Sequence, residues 1–117
     1  MGISKTNRIK RDLDFKEIIE ARHSYANRFF IVYIKKREDS TLGHWRAGLS
    51  VSKKVGKAHE RVWVKRRIRA SLMNLEEQID SNIDMVVIAR PTTNGIEQHE
   101  AQKQLVHIFK NLGVLNE

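Results

Sequence analysis

The sequence predicts an α+β fold: an α/β sandwich in which a small mixed β-sheet packs against helices, in the rough order α-β-β-α-β-α. Three observations carry this. A β-branched and aromatic run spans 28–35, a second apolar run spans 84–90 and is stopped by Pro91, and two longer stretches return large apolar residues at helical spacing. With 117 residues and 40% hydrophobic content, the chain fits a single domain over 1–117, with residues 1–11 as a basic, flexible arm.

Asp12 or Asp14 is placed to cap a first helix that ends near Ala21 and carries Phe15, Ile18 and Ile19 on one stripe. In the run Phe29 to Ile34 both alternating sets are apolar, so a strand buried on both faces is expected. A polar turn follows over 36–43. The next strand, over 44–52, places Trp45, Ala47, Leu49 and Val51 on one face and Arg46, Gly48, Ser50 and Ser52 on an open polar face. Between 60 and 78, Val64, Ile68, Leu72, Leu75 and Ile79 fall within one narrow helical sector. Met85 to Ala89 forms a short strand, and a last helix over 97–111 aligns Ala101, Leu105, Ile108 and Leu112, with Gly113 placed to cap it.

The 22 Lys and Arg outnumber the 14 Asp and Glu, and a net charge of +8 calls for a polyanionic partner. The surplus is local: residues 53–69 hold eight basic residues and one acid, and residues 1–11 hold four basic residues and no acid. The absence of cysteine removes disulfides and thiolate metal sites and suits a reducing compartment, so the cytoplasm is the expected location. No apolar run reaches the roughly 18 residues of a membrane span, and the basic helix lacks the second apolar face that interfacial insertion requires. His23, His44, His59, His99 and His107 share no ligand spacing and are not flanked by paired carboxylates, so a metal centre or nuclease site on the protein is not expected.

The segment richest in chemistry is Ser50-Val51-Ser52-Lys53-Lys54-Val55-Gly56-Lys57-Ala58, followed by Arg61 and Lys65-Arg66-Arg67-Ile68-Arg69. A strand ends in two lysines, a glycine turn follows, and a helix opens among cations. Lysine charge, backbone amides at a helix start and arginine forks all suit phosphate oxygens. With Val64 at zero on the helical wheel, Lys65, Arg69 and Arg66 fall at about 100°, 140° and 200°, away from the core sector, and can reach one RNA backbone together. A solvated basic helix face is the plainer reading of such a cluster, and the concentration of nearly the whole net charge here favours nucleic acid.

This segment resembles the signature region of the bacterial ribonuclease P protein subunit family. Asn7-Arg8-Ile9-Lys10, Asp14-Phe15, Ser24, Ala26-Asn27-Arg28, Phe30, Tyr33, Arg46, Gly48 and Val87-Ile88-Ala89-Arg90 match the family in order along almost the whole chain. The resemblance implies the protein subunit of a ribonucleoprotein endoribonuclease that removes the 5′ leader of precursor tRNA. In such an enzyme a catalytic RNA with bound Mg2+ performs the cleavage, and the protein binds no cofactor and has no autonomous activity. By the same resemblance, Arg8, Lys10, Arg11, Lys53, Lys54, Lys57, Arg61, Lys65, Arg66, Arg67 and Arg69 hold RNA. Phe15, Ile19, Ile31, Tyr33, Ser50 and Lys53 match a cleft between sheet and first helix that grips the single-stranded leader. The implied partners are the catalytic RNA and precursor tRNA, with no membrane and a monomeric protein. From spacing alone, Phe15 and Tyr33 read first as ordinary core residues.

The sequence departs from the family's usual pattern at four places. Lys57 follows the signature glycine where asparagine is usual, Arg61-Val62-Trp63 replaces an Arg-Asn-Arg or Arg-Asn-Lys triplet, Ala70 stands for an acid or amide, and Ile19 for a cleft aromatic. Val62 and Trp63 fall at about 160° and 260° on the wheel, off the core side. Stacking of Trp63 on an RNA base, stacking over Arg67, a contact between copies and an altered sequence all stay open. Two other functions stand beside the main one: a generic RNA-binding or RNA-chaperone module, and an altered family member with impaired native activity.

Overall fold

The computed structural model describes residues 8–9, 12–38 and 43–116. Its elements are α1 (Asp12–Glu20), β1 (His23–Ala26), β2 (Phe30–Lys36), β3 (Arg46–Ser50), α2 (Ala58–Asn74), β4 (Ile83–Ala89), a 3-10 turn (Pro91–Thr93) and α3 (Gln98–Leu112). They build the expected α+β sandwich around a four-stranded mixed sheet in the order β1-β2-β4-β3. The pairs β1–β2 and β2–β4 are antiparallel, and β3–β4 is parallel. A parallel pair cannot be closed by a hairpin, so the chain between β3 and β4 crosses one face of the sheet as α2.

That face holds the main core. Phe30, Val32 and Ile34 of β2, Ala47 of β3 and Met85, Val87 and Ala89 of β4 meet Val64, Ile68 and Leu72 of α2 and Ala101, Leu105 and Ile108 of α3, each 5% exposed or less. Ser71 is the polar residue at the helix–helix seam. Its hydroxyl donates to Arg67 O (2.8 Å) and accepts from the Gln98 amide (2.7 Å), so its own buried hydroxyl is satisfied. The α3 helix ends at Gly113 with φ 74°, the left-handed cap expected from the sequence.

Among the described residues the opposite face is covered by α1 and by Ile9 ahead of it. Ile9, Ile18 and Val86 are buried in a small second cluster, with Phe15, Tyr33 and Ile88 packed against it. A nine-residue helix is about 13 Å long, while a seven-residue strand runs about 23 Å; α1 and β2 have those lengths. Part of this face therefore stays open.

Five expectations need correction. First, β2 is not buried on both faces: Phe30, Val32 and Ile34 are buried, while Ile31 and Tyr33 are half-buried, because α1 is too short to cover them. Second, β1 was not expected; it is a polar edge strand in which only Tyr25 is half-buried, so it carries no alternating signal. Third, the polar face of β3 is not open: Gly48 is buried beneath Phe15, and Arg46 is half-buried against Asp84. Fourth, α2 ends at Asn74 rather than near 78. Acidic Glu76 and Glu77 oppose the negative end of the helix dipole, and turns then carry Leu75 and Ile79 into the core. Ile19 also leaves its predicted stripe, at 39% exposure.

The free edge of β3 is closed by the segment before α1. Ile9 N–H donates to Ala47 O (3.0 Å), and Arg8 bridges Ala47 in parallel register. Such cover removes a row of unpaired backbone groups. Of the basic arm, residues 1–7, Lys10 and Arg11 lie outside the described residues.

Asp84 ties three strands together at one end of the sheet. Its carboxylate accepts from Arg37 Nη1 (2.6 Å), Arg46 Nε (2.9 Å) and Arg46 Nη2 (2.7 Å), and its side chain is 9% exposed. Burial pushes this carboxyl up, but the two guanidinium groups outweigh burial and hold it below the usual carboxylate range. The same contact raises Arg46. A depressed folded-state value means that Asp84 stabilises the fold fully above its unfolded value of about 4, and that the contribution is lost as pH falls through the folded value. Asp84→Asn, by leaving two arginines without a counter-charge, is expected to cost roughly 3–5 kcal/mol in urea unfolding at neutral pH. The variant should also show a flatter loss of stability between about pH 5 and 2 than the parent; equal acid slopes in the two proteins would contradict this account.

Candidate nucleic-acid interface

The junction between β3 and α2 is built on a rigid backbone. Val51 and Val55 are buried, and Val55 N–H donates to Ser52 O (3.0 Å), closing a turn that carries Lys53 and Lys54 into solvent. Asn94 Nδ2 donates to Val55 O (2.9 Å) from the opposite side. A Cβ on Gly56 would lie 2.7 Å from both Asn94 Nδ2 and Glu60 Oε1, so only glycine lets these two groups cross the turn. Glu60 accepts the Lys57 N–H (2.8 Å), and this bond, followed by the Asn94 amide, holds its carboxyl below the ordinary range. Lys57 is the N-cap of α2 in extended backbone, and its side chain has no acceptor for the free amides of the first turn. Three exposed lysines thus surround one helix start.

Along α2 the cations divide. Lys65 and Arg69 line a slot of about 190 Å³ together with Arg8, over Phe15, Gly48 and Leu49. Burial, and then the charge of Arg8, lowers the Arg69 guanidinium from its ordinary value, a sign of positive charge packed close. Arg66 is exposed and does not line this slot, so the structure brings Lys65 and Arg69 together and sets Arg66 apart from them on the same helix. Arg61 and Arg67 are half-buried, and their Nε atoms are buried without a hydrogen-bond partner among the described residues. Trp63 is 43% exposed; its Nε1–H donates to Ile96 O (3.0 Å), and the Arg67 guanidinium sits 3.7 Å from its ring centroid. Of the roles left open for Trp63, stacking with Arg67 is therefore present. Val62 is likewise exposed, at 46%.

On the α1 side of the sheet, strand register sets out rows. Tyr33, Val86 and Gly48 form one row, and Ile31, Ile88 and Ser50 the next. Phe15 lies over Gly48, where a Cβ would meet its ring at 2.3–2.9 Å. The first row is thereby roofed. In the second row Ile31, Ile88 and Ser50 stay half-exposed beside the turn that bears Lys53. This is a groove with an apolar and aromatic floor and a cationic end. Ile88, at its centre on β4, was not among the predicted site residues: a short, wholly apolar strand gives no sign of which residues face out. Ile19, predicted for the cleft, sits on an exposed part of α1.

The other end of this face is different in kind. A cavity of about 470 Å³ there is lined by Asp14, Glu17, Glu38, Lys35, Arg46 and Asp84 among others. Both signs of charge are present, so it does not select a polyanion. Among the described residues no three His, Asp or Glu converge as metal ligands, and no helix is long and apolar enough to cross a membrane.

A sequence profile of the family described as Ribonuclease P matches residues 3–113. The ribonuclease P protein component of Oenococcus oeni is 48% identical over 117 residues, covering 99% of this chain and 96% of the relative. That of Leuconostoc citreum is 48% identical over 112 residues, covering 95% and 94%. Among solved structures, a Staphylococcus aureus RNase P protein mutant with defective mRNA degradation activity superposes with a TM-score of 0.84 at 37% identity, covering 95% of this chain and 92% of that one.

Because Gly48 supports the groove by lacking a side chain, Gly48→Ala is expected to lower stability by roughly 1–3 kcal/mol through overpacking against Phe15. In a Phe15→Leu background the same change should cost less, and the double-mutant cycle should show favourable coupling. Equal costs in both backgrounds would mean that the two residues do not bear on each other.

Proposed function

The chain belongs to the ribonuclease P protein family and is a protein component of ribonuclease P; we propose that, in this endoribonuclease that removes the 5′ leader of precursor tRNA, it binds RNA on two surfaces and breaks no bond itself. The observation that carries this reading is the placement of nearly the whole charge surplus at the β3–α2 junction, beside the half-exposed row of Ile31, Ile88 and Ser50. The catalytic RNA docks on the cations of α2 and its N-terminal turn: Lys54, Lys57, Arg61, Lys65, Arg66 and Arg69, with Arg8 at the β3 edge. The single-stranded leader lies in the groove on Phe15, Ile31, Tyr33 and Ile88, with Ser50 and Lys53 at its rim.

Such a groove suits a leader of any sequence. Base stacking on apolar and aromatic surface, and charge on the backbone, do not depend on base identity. Directed base-edge contacts would demand a row of amide side chains, and the groove residues Ile31, Tyr33 and Ile88 supply none. The protein's own residues therefore position RNA, raise local affinity and exclude water from the floor. Mg2+ is held by the RNA subunit, where it supplies the cleavage chemistry; the described histidines and carboxylates do not form a ligand set for it. The protein acts as a monomer in this scheme.

Cleavage of precursor tRNA by the RNA subunit across a magnesium series, with and without the protein, tests the reading. The protein should lower the magnesium needed and cut nothing alone. Lys53→Ala should weaken binding of precursor with a leader, leave leaderless tRNA unaffected, and flatten the salt dependence by about 0.7 in log–log slope, the value for one single-strand phosphate. A generic RNA-binding module would instead bind the catalytic RNA and an unrelated structured RNA equally and give no gain in cleavage.

A further inference from the structure

Val62 and Trp63 interrupt the cationic arc of α2 and stay exposed, and of the two Trp63 is held in place. The Nε1–H bond to Ile96 O fixes one edge of the indole, and the Arg67 guanidinium, 3.7 Å from the centroid, occupies one face. At 43% exposure, much of the remaining ring stays in solvent. A ring already fixed by two contacts has little rotamer freedom left to lose when something packs on it. Exposed indoles with one polar edge satisfied are suited to binding a flat partner.

We infer that Trp63 is a stacking platform for one unpaired nucleobase of the docked catalytic RNA, in the order base, indole, guanidinium. The inference rests on the RNA-docking role proposed for α2. Around the helix, Trp63 falls at about 260°, between Arg66 near 200° and Arg67 near 300°. A base laid on the ring therefore brings its own phosphates toward cations on either side. Arg67, drawn to the indole by cation–π attraction, polarises the ring from behind. A second copy of the chain is a poorer occupant: in a symmetric contact the patch meets itself, and exposed Arg66 would oppose its own copy. Stacking also gives Trp63 a physical role where the family's usual triplet has a cation, while Val62 has no structural explanation.

The chain has two tryptophans, and Trp45 is 1% exposed with its Nε1–H bonded to Glu76 O. Trp45 is thus an internal reference, and quenching on RNA binding reads Trp63. A transcript of the catalytic RNA, titrated while its own anisotropy and the protein's emission are followed together, should quench the exposed tryptophan in parallel with binding. Trp63→Phe, which keeps an aromatic face but loses the bond to Ile96 O, should bind between the parent and Trp63→Leu. Trp63→Leu should lose roughly five- to a hundredfold, the range that stacking of one base spans, with an unchanged salt slope. Binding by anisotropy with no change in emission overturns the inference while leaving RNA docking intact, and so does a Trp63→Leu variant that binds like the parent. Absence of any binding overturns the docking role itself and this inference with it. Quenching that follows protein concentration without RNA assigns the ring to a second copy and also overturns it.

Discussion

The parallel pairing of β3 with β4 is the constraint on which the rest of the structure depends. Two adjacent parallel strands need a crossover, and here the crossover is the 17-residue helix α2. Its apolar sector, through Val64, Ile68 and Leu72, goes to the sheet, so its cations are turned outward. The start of α2 is then fixed at the end of β3, and that is where Lys53, Lys54 and Lys57 surround the helix N-terminus. Burial of one side of α2 and the charge of the other are two consequences of one connection.

With α2 and α3 both spent on one face, the described cover of the other is the nine residues of α1 with Ile9 ahead of them. Its grip depends on Phe15 reaching Gly48, which needs a glycine, and on Ile18 meeting Val86. Beyond that contact the sheet floor is open at Ile31, Ile88 and Ser50, while Asp84 with Arg37 and Arg46 closes the far end in charge. A groove results from undersupply of helix rather than from any dedicated element. The two surfaces proposed to hold RNA lie on different faces of the sheet and meet at the edge of β3, where Arg8, Lys65 and Arg69 gather around one slot.

Much of this was legible from local patterns. The helical sectors of α2 and α3, the β4 run ended by Pro91 and the Gly113 cap all follow from spacing within one element. The collinear family motifs placed the basic junction. What could not be read depends on residues far apart in the chain: Phe15 on Gly48, Asp84 on two arginines, and the half-exposure of Ile88 within an apolar strand. The edge strand β1 was hidden because its stability comes from pairing and from Asn27, whose side chain accepts Phe29 and Phe30 N–H and donates to Gln104 of α3. Arg67 over Trp63 was within reach of sequence, since residues four apart share a helix face. The departure at Lys57 acquires a meaning only with the structure: asparagine there would cap the first turn of α2 as well as offer an amide to RNA.

In the proposed function one sheet presents two separate RNA surfaces, a groove on the α1 face and a cationic helix on the other. Amide chemical-shift mapping with two ligands tests it most directly: a short single-stranded leader oligonucleotide and a structured fragment of the catalytic RNA. The leader is expected to move the signals of Ile31, Tyr33, Ser50 and Ile88 and to spare Trp63 and Arg66, while the structured fragment does the reverse. Overlapping perturbations at the same residues, with neither ligand excluded from the other's surface, would contradict it.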